Sequence, residues 1–206
     1  RMKNKEVDIL LGTQMISKGL DFPLVTLVGI VMADISLNLP DFRAAERTFQ
    51  LLTQVAGRSG RRDKAGEVII QTYNPQHYAI ESASQQNYIR FATEELGYRK
   101  KLYYPPYYRL ARILFQSTDL ETLKKEMSNM REVLYLLRKQ IPMPQLLLLG
   151  PSVAPFSKIS SYYRYHLIFK AQTVKILQNA IRLFNSLYNC PSNIRKQIDI
   201  DPNTLM

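Results

Sequence analysis

A single cysteine, Cys190, is all the thiol chemistry this 206-residue chain carries. One thiol closes no internal disulfide and cannot build a zinc site, which needs several cysteines or histidines close together. With no histidine near it in sequence, Cys190 reads as a small hydrophobe close to a helix end rather than a nucleophile, and a lone cysteine is compatible with a reducing cytoplasm. The two histidines, His77 and His166, read as ordinary structural or surface residues. Long apolar runs are missing too: the run from Leu146 to Leu149 is strand-sized, no stretch reads as a membrane span, and no secretory leader is visible. Two further absences bear on chemistry. There is no Gly-x-x-x-x-Gly-Lys-Ser/Thr loop to cradle phosphates, and no Asp-Glu pair after a strand to hold magnesium.

Negative charge is also scarce, with 17 Asp/Glu against 28 Lys/Arg and a net charge of +11. Residues 1-100 hold 13 Lys/Arg against 11 Asp/Glu, and residues 101-206 hold 15 against 6, so nine of the eleven net charges fall in the second part. A surplus of that kind favours polyanions, nucleic acid foremost. The competing reading is solvated helix faces, such as the one bearing Lys124, Lys125, Arg131, Arg138 and Lys139.

At 46% hydrophobic, the chain can bury one large core or two small ones. Val7 to Leu11 reads as a buried strand, and a second apolar run covers Leu24 to Met32. Asp41 is placed to cap a helix whose apolar residues Phe42, Ala45, Phe49, Leu52 and Ala56 recur at helical spacing. Glu67 to Thr72 reads as a third strand, and Asn74-Pro75 as the cap of a helix running toward Lys101. Tyr103-Tyr104-Pro105-Pro106-Tyr107-Tyr108 then forms a stiff turn or extended linker, after which a new domain begins.

That second part reads β-α-β-β-α-β. Arg109 to Ser117 alternates Leu110, Arg112 and Leu114 against Ala111, Ile113 and Phe115. A helix from Asp119 to Lys139 follows, with Leu120, Leu123, Met127, Met130, Leu134 and Leu137 on one stripe. Leu146 to Gly150 and Tyr163 to Lys170 are strands, Thr173 to Tyr188 is the second amphipathic helix, and Lys196 to Ile200 closes the set. The order suits a small two-layer ferredoxin-like sandwich.

Two clusters carry candidate chemistry. In Gln54-Val55-Ala56-Gly57-Arg58-Ser59-Gly60-Arg61-Arg62, a helix running on through the glycines brings Gln54, Arg58 and Arg61 to one face, while Gly57 and Gly60 remove side chains that would hold a ligand away. Guanidinium forks match phosphate oxygens and stay charged at any working pH, so such residues can supply transition-state charge in phosphoryl transfer. The alternative is a basic helix end that complements the macrodipole. In the second cluster, Gly12 to Pro23, Thr13 offers a hydroxyl and an N–H to a phosphate, and Asp21 can accept from a ribose hydroxyl or orient an arginine. Its alternative is an ordinary strand connection.

Gly12-Thr13-Gln14-Met15 through Lys18-Gly19-Leu20-Asp21-Phe22 resembles motif V of the superfamily 2 helicases, and Gln54 to Arg61 resembles their motif VI. The stretch Asp41 to Val55 is closer still to one family within them, the primosomal replication-restart helicases. So are Tyr104-Pro105-Pro106-Tyr107, Leu149-Gly150-Pro151, Tyr163-Arg164-Tyr165 and Asp199-Ile200-Asp201-Pro202, and the resemblance covers nearly the whole chain. It implies an α/β protein: residues 1-100 as part of a RecA-like second helicase lobe, then residues 101-206 as a small α+β ferredoxin-like, DNA-binding carboxy-terminal domain.

The resemblance further implies that ATP and magnesium are held mainly by a first lobe this sequence lacks. Arg58, Arg61 and Gln54 would then act from across the cleft, with Asp21, Gly19 and Gly57 beside the nucleotide and Thr13, Gln14 and Lys18 on a single DNA strand. Zinc belongs to the full-length family through cysteine pairs upstream of motif V, with no site in this chain. The chain opens with a strand almost at once and Met2 makes a poor natural start, so it reads as a carboxy-terminal fragment of a longer 3′-to-5′ DNA helicase, inactive alone in ATP hydrolysis. Implied partners are forked and single-stranded DNA, single-strand-binding protein and other primosome proteins, in the cytoplasm and away from membranes. Another superfamily 2 translocase and a non-catalytic nucleic-acid-binding module remain the alternatives.

In the carboxy-terminal part, Lys158, Tyr162, Tyr163, Arg164 and Tyr165 surround a turn and a strand start. Strand alternation puts Tyr162, Arg164 and His166 on one face and Tyr163, Tyr165 and Leu167 on the other. Rings stack on unpaired bases and cations follow phosphates, which makes Lys158, Tyr162 and Arg164 the DNA candidates. Tyr163 and Tyr165, beside Leu167, read first as core, and the rings of the Tyr103 to Tyr108 cluster as pins between the two domains.

Overall fold

Leu27–Ile30 (β1) and Glu67–Ile70 (β2) pair in parallel, Leu27 opposite Glu67 and Ile30 opposite Ile70. Parallel strands need a crossover, and helices Asp34–Leu37 (α1) and Ala44–Ala56 (α2) lie between them in sequence. The computed structural model describes residues 6–13, 25–57 and 66–206. The chain divides into one unit of residues 1–39 and 43–96 and a second of residues 40–42 and 97–206. The protein is α/β, with one described sheet in each unit.

In the first unit, α2 buries Phe49 and Leu52 from its apolar stripe against Ala33, Ala79, Ile80, Ala83 and Phe91. Phe49 stacks on Phe91 with centroids 4.2 Å apart. Asp34 tethers the chain after β2, its carboxylate accepting the Thr72 hydroxyl at 2.8 Å and the Tyr73 N–H at 2.9 Å.

Four sequence expectations change here. Val7 to Leu11 is irregular rather than a strand, with Ile9 78% and Leu11 87% exposed. An apolar run becomes a buried strand only where neighbouring strands and covering layers meet it, and among the described residues none pairs with this one. The helix expected from Asn74-Pro75 to Lys101 is two, Tyr78–Ser84 (α3) and Tyr88–Lys101 (α4). Gln86 between them has φ 50°, and the Asn87 side chain accepts the Arg90 N–H at 3.0 Å, a local bond that competes with helix continuation. His77, not Asn74, caps α3, its Nδ1 accepting the Ala79 N–H at 3.2 Å. Asp41 does not cap α2 either; Arg43 occupies that position with no side-chain cap bond.

The second unit is built on Arg109–Ser117 (β3), Leu146–Ile159 (β4), Tyr162–Ala171 (β5) and Arg195–Ile200 (β6), an antiparallel sheet in the order β4-β5-β3-β6. Period-2 alternation sends Ala111, Ile113 and Phe115 of β3 and Leu167 and Phe169 of β5 into one core. The helices Leu120–Asn129 (α5), Arg131–Gln140 (α6) and Val174–Leu187 (α7) meet it there with Leu123, Met127, Leu134, Leu137, Leu177 and Phe184. Each such large side chain, fully buried, stabilises by about 1.5–3 kcal/mol. Asp119 caps α5 through the Glu121 N–H at 3.0 Å, and Thr173 caps α7 through the Ile176 N–H at 3.2 Å. The single helix expected over 119–139 is divided at Met130, yet the apolar stripe stays on one side across the joint.

β4 runs nine residues beyond the expected end at Gly150, through register shifts at Leu149/Ser152 and Val153/Lys158. Gly-Pro reads as a stop, but a bulge lets an edge strand continue past it. Gly150 has φ 97°, and a Cβ there would lie 2.6 Å from the His166 carbonyl oxygen, so backbone and contact both demand glycine. After β6 the chain is clipped back onto β3: the Asp201 N–H donates to the Leu110 carbonyl at 2.8 Å, and Arg112 donates to the Met206 carbonyl.

Candidate nucleic-acid interface

Six of the nominated residues, Gln14, Lys18, Gly19, Asp21, Arg58 and Arg61, lie outside the described residues. Thr13 is exposed in the irregular segment 6–13. Gln54 and Gly57 come together at the carboxyl end of α2, both exposed. The Gly57 N–H closes the helix on the Thr53 carbonyl at 3.1 Å. A Cβ at Gly57 would come no nearer than 3.6 Å to that carbonyl, and its φ of −68° is ordinary, so the helix end itself does not require glycine. Among the described residues α2 ends at Ala56 with Gly57 at its C-cap, and the face expected to join Gln54 with Arg58 and Arg61 falls on residues outside those described.

The second unit gathers its basic and aromatic residues at the β4–β5 hairpin. Ser160 and Ser161 both take positive φ, 46° and 71°, as a two-residue hairpin turn matched to strand twist requires. That turn sets Ile159 opposite Tyr162 and Lys158 opposite Tyr163. Lys158 Nζ lies 4.6 Å from the Tyr163 ring centroid and 3.4 Å from its hydroxyl. On β6, the Arg195 guanidinium covers the Tyr162 ring at 4.4 Å. Two cation–ring pairs therefore stand at one end of the sheet, Lys158 with Tyr163 on one face and Arg195 with Tyr162 on the other, with Lys158 and Arg195 exposed and Tyr162 half-buried. Arg195 escaped the sequence reading because only the strand order, which sets it opposite Gln116 of β3, brings it near the hairpin.

Arg164 is placed differently from its expectation. It is 7% exposed, and its Nη1 donates to the Phe156 carbonyl at 3.2 Å, bracing the irregular part of β4. Burial, and then the charge of Arg112, hold its pKa below the ordinary arginine value. His166 beside them is also buried, and burial followed by the Arg112 and Arg164 charges lowers its pKa, favouring the neutral ring. Strand alternation is as the sequence implies, but the face bearing Arg164 and His166 is covered, which alternation alone does not reveal. Tyr163 and Tyr165 pack partly buried against the helix-side core.

Near the proline pair, Tyr104 stacks on Phe42 with centroids 5.1 Å apart, and Lys170 Nζ sits 3.3 Å from the Tyr104 centroid. The same ammonium donates to the Leu102 carbonyl at 2.9 Å, and burial pushes the Lys170 pKa down to about 8. Tyr108 is buried and donates to the Pro144 carbonyl at 3.0 Å. Cys190 is half-buried, its thiol donating to the Ile194 carbonyl at 3.4 Å, with burial raising its pKa. Among the described residues, no helix is long and apolar enough to cross a membrane.

Comparison with known proteins converges on one group. The family described as "Primosomal protein N C-terminal domain" matches residues 100–203. Replication restart protein PriA of Bacillus subtilis is 41% identical over 204 residues, covering 98% of this chain and 25% of that protein. The protein of the same name from Borreliella burgdorferi is 38% identical over 206 residues, covering 100% of this chain and 31% of its own length. That from Synechocystis sp. is 41% identical over 198 residues, covering 96% and 23%. The chain thus spans roughly a quarter to a third of the curated relatives it matches.

Proposed function

The chain belongs to the primosomal protein N C-terminal domain family, and from that premise we propose that it is the carboxy-terminal part of an ATP-dependent 3′-to-5′ DNA helicase that recognises stalled or branched forks and restarts replication by primosome assembly. One coincidence carries this reading: the family match at 100–203 falls on the part of the chain that holds nine of its eleven net positive charges. The basic-aromatic hairpin lies in the same part, and such a surface suits phosphates and unpaired bases. Its contacts with DNA are Lys158 and Tyr162, joined by Arg195, while Arg164 supports β4 from beneath.

The sheet order β4-β5-β3-β6, with helices α5, α6 and α7 on one core, favours a ferredoxin-like reading of residues 101-206. The parallel pair with crossover helices favours a RecA-like second lobe for residues 1-100. In the full-length protein, Arg58, Arg61 and Gln54 act on the terminal phosphate across a cleft, and Asp21, Gly19 and Gly57 lie beside the nucleotide. ATP with magnesium supplies the phosphoryl-transfer free energy that opens and closes the lobes. Gln54 at an exposed helix end fits that placement. Thr13, Gln14 and Lys18 hold the single strand. The zinc of the full-length protein is held outside this chain, and its partners, in the cytoplasm, are forked and single-stranded DNA, single-strand-binding protein and other primosome proteins.

Arg61→Ala in the full-length protein tests the catalytic half. ATP turnover should be lost while DNA binding survives, and normal turnover would remove Arg61 from the site. The purified chain by itself should hydrolyse no ATP.

A further inference from the structure

α5 and α6 run beside the bulged part of β4, and between them lies a groove of about 550 Å³ within the second unit. Lys124, Arg131 and Arg138 line it at seven-residue steps, and Tyr135 and Tyr165 lie among them. Seven helical residues advance about 10 Å, two turns, so the three cations form a row along one face. Met130, where the helices meet, has φ −63° and ψ −13°, close to helical, which keeps the row aligned across the joint. No carboxylate is among the groove's lining residues. Lys124 pairs with Glu121 at 2.8 Å and Arg138 donates to the Leu148 carbonyl at 3.3 Å, whereas the Arg131 guanidinium has no hydrogen bond or ion pair among the described residues. Tyr135 is 66% exposed, an uncovered ring at the mouth of a cationic groove.

We propose that this groove binds a single strand of nucleic acid, its phosphates following Lys124, Arg131 and Arg138 and a base stacking on Tyr135. The assignment rests on the nucleic-acid reading above but places a second contact on a surface distinct from the hairpin. Charge of one sign with interleaved rings is what tracks a single strand, since every base offers a face to stack and every phosphate a charge. A duplex offers no unpaired base to the Tyr135 ring. An acidic peptide would use the edge of β4 by strand addition, but Pro151 and Pro155 lack amide donors there and the two register shifts interrupt the ladder.

The test measures anisotropy of a short fluorescent oligothymidylate against the whole chain, titrated with salt. Lys124→Ala combined with Arg131→Ala should weaken binding about tenfold at low salt and flatten the log–log salt slope by about 1.4, since each single-strand phosphate contact contributes about 0.7. Tyr135→Ala should weaken it about fivefold or more while Tyr135→Phe retains it, and Arg131→Lys should restore most of the loss, which separates charge from misfolding. Groove variants that bind like wild type while Lys158→Ala with Tyr162→Ala weakens binding would overturn the groove and leave the hairpin standing. Loss of oligoglutamate binding with oligothymidylate binding intact would make it a peptide site instead. Wild-type chain that binds forked DNA but no oligothymidylate would remove the groove and leave the nucleic-acid reading standing, whereas a chain that binds neither would remove both.

Discussion

Asp41 and Thr204, 163 residues apart, are joined by a hydrogen bond from the Thr204 hydroxyl to the Asp41 carboxylate, which also accepts the Leu205 N–H at 3.3 Å. Local sequence marks Asp41 as a helix cap; the fold uses it to hold the chain after β6. Residues 40–42 accordingly group with residues 97–206, where Phe42 lies flat against Tyr104 with an interplanar angle of 4°.

Removing the carboxylate leaves a partly covered hydroxyl and a backbone N–H without their acceptor. Asp41→Ala should lower stability by about 1.5–3 kcal/mol, the range for hydrogen bonds to charged groups. Asp41→Ala and Thr204→Val combined should cost less than the sum of the two single changes. Urea midpoints for the four proteins give the coupling, and strict additivity would show that the contact carries no energy.

Lys170 should make stability depend on pH in an unusual direction. Its folded pKa of about 8 lies below the ordinary 10.5, so between those values the unfolded chain holds a proton that the folded chain has shed. Stability therefore rises with pH across that window and is lost again as pH falls through about 8. Tyr104 faces the ammonium and has a raised pKa, from burial and then the charge of Asp41, so the comparison with Lys170→Met isolates the lysine. Between about pH 7.5 and about pH 9.5 the wild-type urea midpoint should climb relative to that variant, and parallel profiles would contradict the assignment.

Gly150 is the position in β4 least able to accept a side chain. Gly150→Ala would add a Cβ 2.6 Å from the His166 carbonyl and 3.0 Å from the Ser152 nitrogen, at a φ of 97°. Backbone has little freedom to yield, so the cost should reach about 2 kcal/mol or more by thermal melting. A melting temperature within a degree or so of wild type would mean that the bulge relaxes.

What the sequence made legible was what short-range periodicity controls. The stripe from Leu123 through Leu137, the alternation along β3 and β5, and the helix starts at Asp119 and Thr173 are all set by neighbours within a few residues. What it hid depends on distant partners. Val7 to Leu11 has a strand's composition but no described neighbour to pair with. Gly150-Pro151 looks like a terminus until β5 supplies a register for the bulge. Arg164 looks like an open cation because alternation gives it a face, but not whether that face is covered. The same limit hid Arg195, whose place over Tyr162 follows from strand order. The groove beside β4 arises likewise: the face of α5 and α6 that reads as merely solvated acquires Tyr165 and Pro151 as a facing wall only when the sheet is assembled.

Whether the hairpin contacts DNA is decided by the salt dependence of binding between this chain and a forked DNA, followed by anisotropy. Log affinity should fall linearly with log salt, by about 0.7–0.9 per phosphate contacted, and the slope should be shallower and binding weaker when Lys158, Tyr162 and Arg195 are changed together to alanine. A flat salt response, or a triple variant that binds as wild type does, would contradict that contact.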